Sequence, residues 1–185
     1  METTDKDLEE LKFPIGQFIC PDPISKQHIK SWTEVLERFP KHLNALVKPL
    51  TDHQLNCEYR PGGWTVRQVI HHLADSHHHS YTRFKWTLTE DAPLIKAYNQ
   101  DKWADLEDAK HSHISASLLH LEAIHKKLVC LIRNLEESDL NRYFVHPETN
   151  RKVYLKENIG IYAWHSQHHY AHIVKALEQK GWITL

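Results

Sequence analysis

Apolar residues along the chain fall into four stretches of helical period, separated by polar or glycine- and proline-bearing breaks. From Ser25 onwards Ile29, Trp32, Leu36, Phe39, Leu43, Leu46 and Leu50 recur every three or four positions, which places them on one face of a helix. Pro40 lies inside that stretch. A proline lacks the backbone N–H and crowds the preceding turn, so the helix is expected to kink or split there. "RPGGW" breaks the chain, and "TVRQ" reads as a capping box with Thr65 as N-cap and Gln68 three residues later. A second helix is predicted from there to about Thr89, followed by a mostly irregular connection, "EDAPLIKAYNQDKWADLED", with room for a helical turn. In the third helix Ile114, Leu118, Leu121, His125, Leu128, Ile132 and Leu135 alternate at spacings of four and three. "RYFVHPETNRKVYL" has β-branched and aromatic residues on both sides of "PETN", the mark of a small hairpin. A fourth helix, Lys156 to Lys180, is expected to end at Gly181. The first 23 residues carry Pro14, Gly16, Pro21 and Pro23 without a sustained period, and are expected to form an extended arm lying on the domain. The pattern predicts an all-α protein: one domain, 1–185, with an arm (1–23) and a four-helix bundle (24–185).

Composition narrows the function. Hydrophobic content of 41% and charged content of 25% are those of an ordinary globular domain. A net charge of −1 gives no electrostatic footprint for nucleic acid or an anionic membrane. No apolar run approaches the ~20 residues of a bilayer span, and the acidic start, "METTDKDLEELKFP", lacks the apolar core of a secretory signal. Cys20, Cys57 and Cys130 are odd in number and far apart, which argues for a reducing cytoplasm and against disulfides or a cysteine zinc site. Cys57 and Cys130 are read as buried small residues rather than nucleophiles. The outlier is histidine, with 17 residues against 24 acids.

The histidines sort by helix face, at about 100° per residue. On the second helix His72 shares a face with Val69 and Ser76 and is read as pointing inward, while His71, His77 and His78 point away. His79 lies on the face of His72 but nearly two turns on. On the fourth helix, taking His165 as zero, His169 falls at about 40°, His172 at about −20° and His168 at about −60°. Three imidazoles on one inward stripe cannot all be buried cheaply without partners. A His-x-x-x-His pair brings two imidazoles within reach of one ion, and a third nitrogen from a facing helix completes a three-histidine face with an open position, as catalytic zinc sites have. The plain alternative is a set of partly buried histidines bonded to backbone or water. His125 occupies a core-type position, either as a histidine bonded across the bundle or as a partner to a ligand. Trp164 and Tyr162 are read as core.

The stretches "GGWTVRQVIHHLADSHHHSYTRFK" and "GIYAWHSQHHYAHI", with the "FPIGQF" arm, "VHPETNR" and the final "GW", resemble the DinB/YfiT-like metalloprotein family and its YfiT branch. The resemblance implies a DinB-like bundle of up-down-down-up order. It also implies metal ligation by the histidine before the leucine of the first motif, His72, and by the pair His165 and His169, with His172 in a polar, non-ligand place. It further implies a homodimer. Three neutral imidazoles suit zinc first, with nickel possible. The branch is known as metal-dependent hydrolases and the wider superfamily contains thiol transferases, with bacillithiol as the expected thiol. Zinc can lower the pKa of bound water for hydrolysis or hold a thiol as thiolate. A hydrolase needs a positioned general base, and Asp75 is the only acidic candidate beside His72. The expected function is therefore thiol S-transfer to an electrophilic small molecule, with hydrolysis as the alternative. His172, His125 and Asp75 are the candidate catalytic groups. If His172 were a fourth ligand, the sphere would close and the bundle would be non-catalytic.

Overall fold

The computed structural model describes residues 5–184. Four long helices make the bundle: α2 (Lys26–Val47), α4 (Val66–Thr89), α7 (Ser115–Arg133) and α9 (Leu155–Gln179). The short helix α1 (Asp5–Lys12) precedes them, and between them lie the short helices α3 (Asp52–Leu55), α5 (Gln100–Ala104), α6 (Glu107–His111) and α8 (Glu137–Leu140), and the strands β1 (Tyr143–His146) and β2 (Arg151–Tyr154).

Local chemistry sets the ends. Ser25 caps α2, its hydroxyl accepting from the His28 N–H while its own N–H donates to His28 Nδ1. The expected box at Thr65 and Gln68 starts α4, and the Gln68 amide also donates to the Ala104 carbonyl at 2.8 Å, tying α4 to α5. Gly181, at φ +68°, lets the chain leave α9 in the left-handed conformation a helix C-terminus favours.

Two apolar clusters fix the topology. One joins the end of α2 (Leu43, Val47), the start of α4 (Val66, Leu73), the start of α7 (Leu121) and the end of α9 (Ile173, Leu177). The other joins Leu36 of α2, Phe84 late in α4, Leu128 and Ile132 late in α7, and Leu155 and Ile159 at the start of α9. Hence α2 and α9 run one way and α4 and α7 the other, which is up-down-down-up. The packed neighbours are α2 with α9 and α7, and α4 with α7 and α9. The connection from α4 to α7 must return the length of the bundle. It is pinned on the way, where the Ile95 N–H donates to the Val145 carbonyl and the Val145 N–H to the Pro93 carbonyl.

Three expectations change. The arm opens with the two-turn helix α1, since "DKDLEELK" precedes the first proline and spaces Leu8 and Leu11 one turn apart; residues 1–4 of that expectation lie outside the described residues. From Phe13 the arm lies against the bundle, where the Trp164 indole N–H donates to the Gly16 carbonyl at 3.2 Å. The ring of Phe18 and that of Trp32 approach Gly160 so closely that a Cβ there would meet both within 3 Å. Pro40 does not split α2, which runs through it. The connection after α4 holds two short helices rather than one turn. No helix among the described residues is long and apolar enough to cross a membrane.

Candidate metal centre

The interface of α4 and α9 is polar where the two apolar clusters meet. Ser80 accepts from the Asn158 amide, and His72, His77, His165, His169 and His172 project into this layer. One ligand nitrogen each from His72, His165 and His169 lies within 4.8 Å of the others. His72 Nε2 and His165 Nε2 are 3.2 Å apart. A tetrahedral ion with ~2.05 Å bonds would set its donors roughly 3.3 Å apart, so the spacing fits a shared ion.

Burial keeps these rings neutral. It pushes the His72 pKa down to about 4, helped by the nearby His168 and His172, and holds His165 and His169 well below the usual histidine value. Neutral imidazole is the ligand form, so the environment that disfavours protons leaves lone pairs available. Trp64 packs on His72 with ring centroids 4.7 Å apart, limiting water on that side.

A second group, His168, His169 and His172, also converges. It shares His169, and a neutral imidazole has one lone pair, so His169 serves one ion. His172 is already engaged, with Nε2 3.0 Å from the Lys12 carbonyl oxygen and Nδ1 3.3 Å from His169 Nδ1. Tyr59 stacks against it with centroids 4.1 Å apart. Among the described residues, neither group of three includes a carboxylate or a thiolate.

His165 keeps partial exposure because two cavities meet at it. One, of ≈ 600 Å³, is walled by Ser76, Arg83, Tyr98, Phe144 and Tyr162. The other, of ≈ 400 Å³, lies under the arm and is walled by Phe13, Tyr59, Trp64, His168 and His172. Asp101 lines both. In the larger one Arg83 Nη1 donates to the Tyr162 hydroxyl at 3.4 Å.

The remaining expected residues fall as follows. His125 is buried in α7, Nδ1 2.5 Å from the Leu36 carbonyl and Nε2 2.9 Å from His77 Nδ1. His77 Nε2 in turn is 3.2 Å from His165 Nδ1. His77 therefore does not point away from the site; it is fully buried and touches a site histidine, because α4 packs against both α7 and α9 and its interior arc is wide. Asp75 lines neither cavity. Burial, with Asp108 near, raises its pKa to about 6. His79 stacks on Tyr98, with ring centroids 4.3 Å apart. His71 is buried between Ser117 Oγ (2.7 Å) and the Ser112 carbonyl (3.2 Å), a structural contact to α7 and its approach. His78 is exposed beside His120. Tyr162 is core and cavity wall at once, whereas Trp164 is only partly buried, stacked on His168. Cys57 and Cys130 are not buried: the first is half-exposed and the second exposed, on the outer face of α7.

Comparison with known proteins gives consistent matches. The DinB superfamily profile matches residues 35–173. The Bacillus subtilis (strain 168) protein named "Putative metal-dependent hydrolase YfiT" is 44% identical over 172 residues, spanning 93% of this chain and 97% of its own. A Bacillus cereus (strain 03BB102) protein named "Putative metal-dependent hydrolase" is 46% identical over 175 residues, spanning 95% of this chain and 100% of its own. The solved structure of Bacillus subtilis YfiT, described as an unusual four-helix bundle, superposes with a TM-score of 0.92 over 94% of this chain and 99% of that one.

Proposed function

Since the chain belongs to the DinB superfamily, we propose that it is a metal-dependent enzyme in which His72, His165 and His169 hold one divalent ion. The observation that carries this reading is the convergence of three neutral imidazole nitrogens from two helices where two cavities meet. An all-imidazole set suits zinc, with nickel next. When bound, such an ion supplies a Lewis acid with open positions, able to acidify a coordinated thiol or water.

The chain's own groups do the rest. His72, His165 and His169 fix the ion at the junction of the cavities. Tyr162, Arg83 and Ser76 offer donors to a substrate in the larger cavity, while Trp64 and Tyr59 wall the smaller one and pack on the rings of His72 and His172. The ion's chemistry is thiol S-transfer, with bacillithiol-type thiols as donors. Its support is that neither convergent group contains a carboxylate. A held thiolate needs no general base, whereas attack by a metal-activated water usually does. The three free cysteines accord with a reducing, cytoplasmic setting in which such thiols are found.

Hydrolysis is the second reading. It is supported by the description carried by the relatives and by Asp101, an acidic residue that lines both cavities. The test is turnover by the zinc-loaded protein against two panels: conjugation of bacillithiol or another small thiol to a generic electrophile, and cleavage of esters and amides. Metal-dependent conjugation is the expected result. Metal-dependent cleavage without conjugation would establish hydrolysis instead, and neither activity would leave a metal-binding bundle.

A further inference from the structure

We propose that the backbone carbonyls of Leu36 and Lys12 set the tautomers of His165 and His169, through His125 and His77 and through His172, so that both present a bare Nε2 to the ion. The proposal rests on the metal-centre reading above.

The first chain starts at Pro40. In an α-helix the carbonyl of Leu36 would accept from the N–H of residue 40, and proline has none. That carbonyl accepts from His125 Nδ1 instead. A carbonyl oxygen only accepts, so Nδ1 carries the proton. His125 is neutral, buried in the bundle with its pKa pushed to about 4, so its Nε2 is a lone pair. The His77 Nδ1 facing that lone pair at 2.9 Å must then be the donor, and His77 Nε2 must be bare. His165 Nδ1, 3.2 Å away, donates to it. His165 is left with its Nε2 unprotonated, 3.2 Å from His72 Nε2.

The second chain starts at the C-terminal end of α1, where the last carbonyls of a helix lack intrahelical partners. The Lys12 carbonyl accepts from His172 Nε2 at 3.0 Å. The neutral His172 therefore offers Nδ1 as a lone pair, and His169 Nδ1 donates to it at 3.3 Å. His169 Nε2 is the bare nitrogen that remains. Two carbonyls on different elements thus impose the same polarity on two ligands, the form opposite to the one neutral imidazole side chains favour in water. A ligand held in the right tautomer and orientation by a hydrogen bond at its other nitrogen binds metal more tightly. His77, His125 and His172 are positioning residues on this reading, and Pro40 is the origin of one chain.

The test uses metal-free, full-length protein with 15N-labelled histidine at pH 7.5, where two-bond 1H–15N correlations separate Nδ1–H from Nε2–H rings. His165 and His169 are expected as Nδ1–H in the wild type. An Nε2–H ring at either position overturns the proposal without any variant, and whatever the reaction turns out to be. His77→Leu should shift His165 towards Nε2–H and weaken zinc binding ~10–100-fold. His77→Gln should restore both, because its amide oxygen accepts from His165 and its NH2 donates to His125. Unchanged tautomer and zinc affinity in His77→Leu, or no restoration by glutamine in a folded protein, would overturn the proposal equally. Since the tautomers are read without metal or substrate, failure to find S-transfer or hydrolysis leaves this result intact, and the converse holds.

Discussion

α4 and α9 carry five and four histidines, His71, His72, His77, His78 and His79 on one and His165, His168, His169 and His172 on the other. On α4 the run is scattered around the axis. His72 alone joins the three-nitrogen group, His77 stands behind it, His71 braces α7, and His78 and His79 meet the surface or Tyr98. On α9 the spacing of three and four keeps the whole set on one inward side, and each ring touches another. A dense histidine run is therefore less informative than a spaced one. The second nitrogens of these rings differ as well: those of His165 and His169 face another imidazole, whereas both nitrogens of His71 are taken up by a serine and a carbonyl.

Alanine substitution is the harshest way to break this contrast. His72→Ala, His165→Ala and His169→Ala should each weaken zinc binding roughly 100- to 1,000-fold, the effect of removing one share of a site worth ~10–16 kcal/mol. His71→Ala and His78→Ala should bind as the wild type does. Competition with a chromophoric chelator measures all five, and full affinity in any of the first three would refute their assignment.

The burial that keeps the rings neutral has a cost in acid. The pKa values of His72, His125, His168 and His172 are depressed to about 4. Unfolded, they would bind protons near 6.5. Between those values the unfolded chain holds more protons, so stability is full above pH 6.5 and falls as pH drops towards 4. Each group adds up to about 1.4 kcal/mol per pH unit. Asp75, raised to about 6, has the opposite sign: its contribution is present at low pH and lost as pH rises through 6, offsetting part of the slope. Urea titrations of the metal-free protein at pH 7 and pH 5 should show a lower midpoint at pH 5. Equal midpoints would mean these histidines are not buried in solution.

A milder perturbation separates ligand from positioning residue. His172→Ala should lower zinc affinity only ~10–100-fold and still load one ion at saturation. Loss of stoichiometric binding would make it a fourth ligand. The smallest effect belongs to Cys130→Ser on the exposed face of α7, which should change stability by less than about 0.5 kcal/mol and leave metal binding unchanged. A larger loss in chemical denaturation would mean that Cys130 is packed against something.

Much of this was legible in the chain. Heptad spacing located α7, the capping box at Thr65 located the start of α4, face arithmetic turned His72, His165 and His169 inward, and the family resemblance joined them into one set. His77 was missed because a wheel drawn from one reference residue marks a ring at about 140° as outward. The first nine residues of α4, Val66 to Ala74, are all buried, so nearly every direction from that helix leads inside. That α2 would run through Pro40 was not legible, because the acceptor it orphans, the Leu36 carbonyl, finds its donor 89 residues further along, on a helix whose packing no local rule reveals. The arm's role was hidden for the same reason, since the Lys12 carbonyl matters only once His172 lies beneath it.

X-ray absorption on the zinc-loaded, untagged protein tests the centre most directly, because it counts imidazoles around the ion without requiring a substrate. Three histidine nitrogens with at least one further non-imidazole donor, at one zinc per chain, are expected from His72, His165 and His169. Four imidazoles, or a zinc ion that remains three-histidine-bound after His165→Ala, would contradict that assignment.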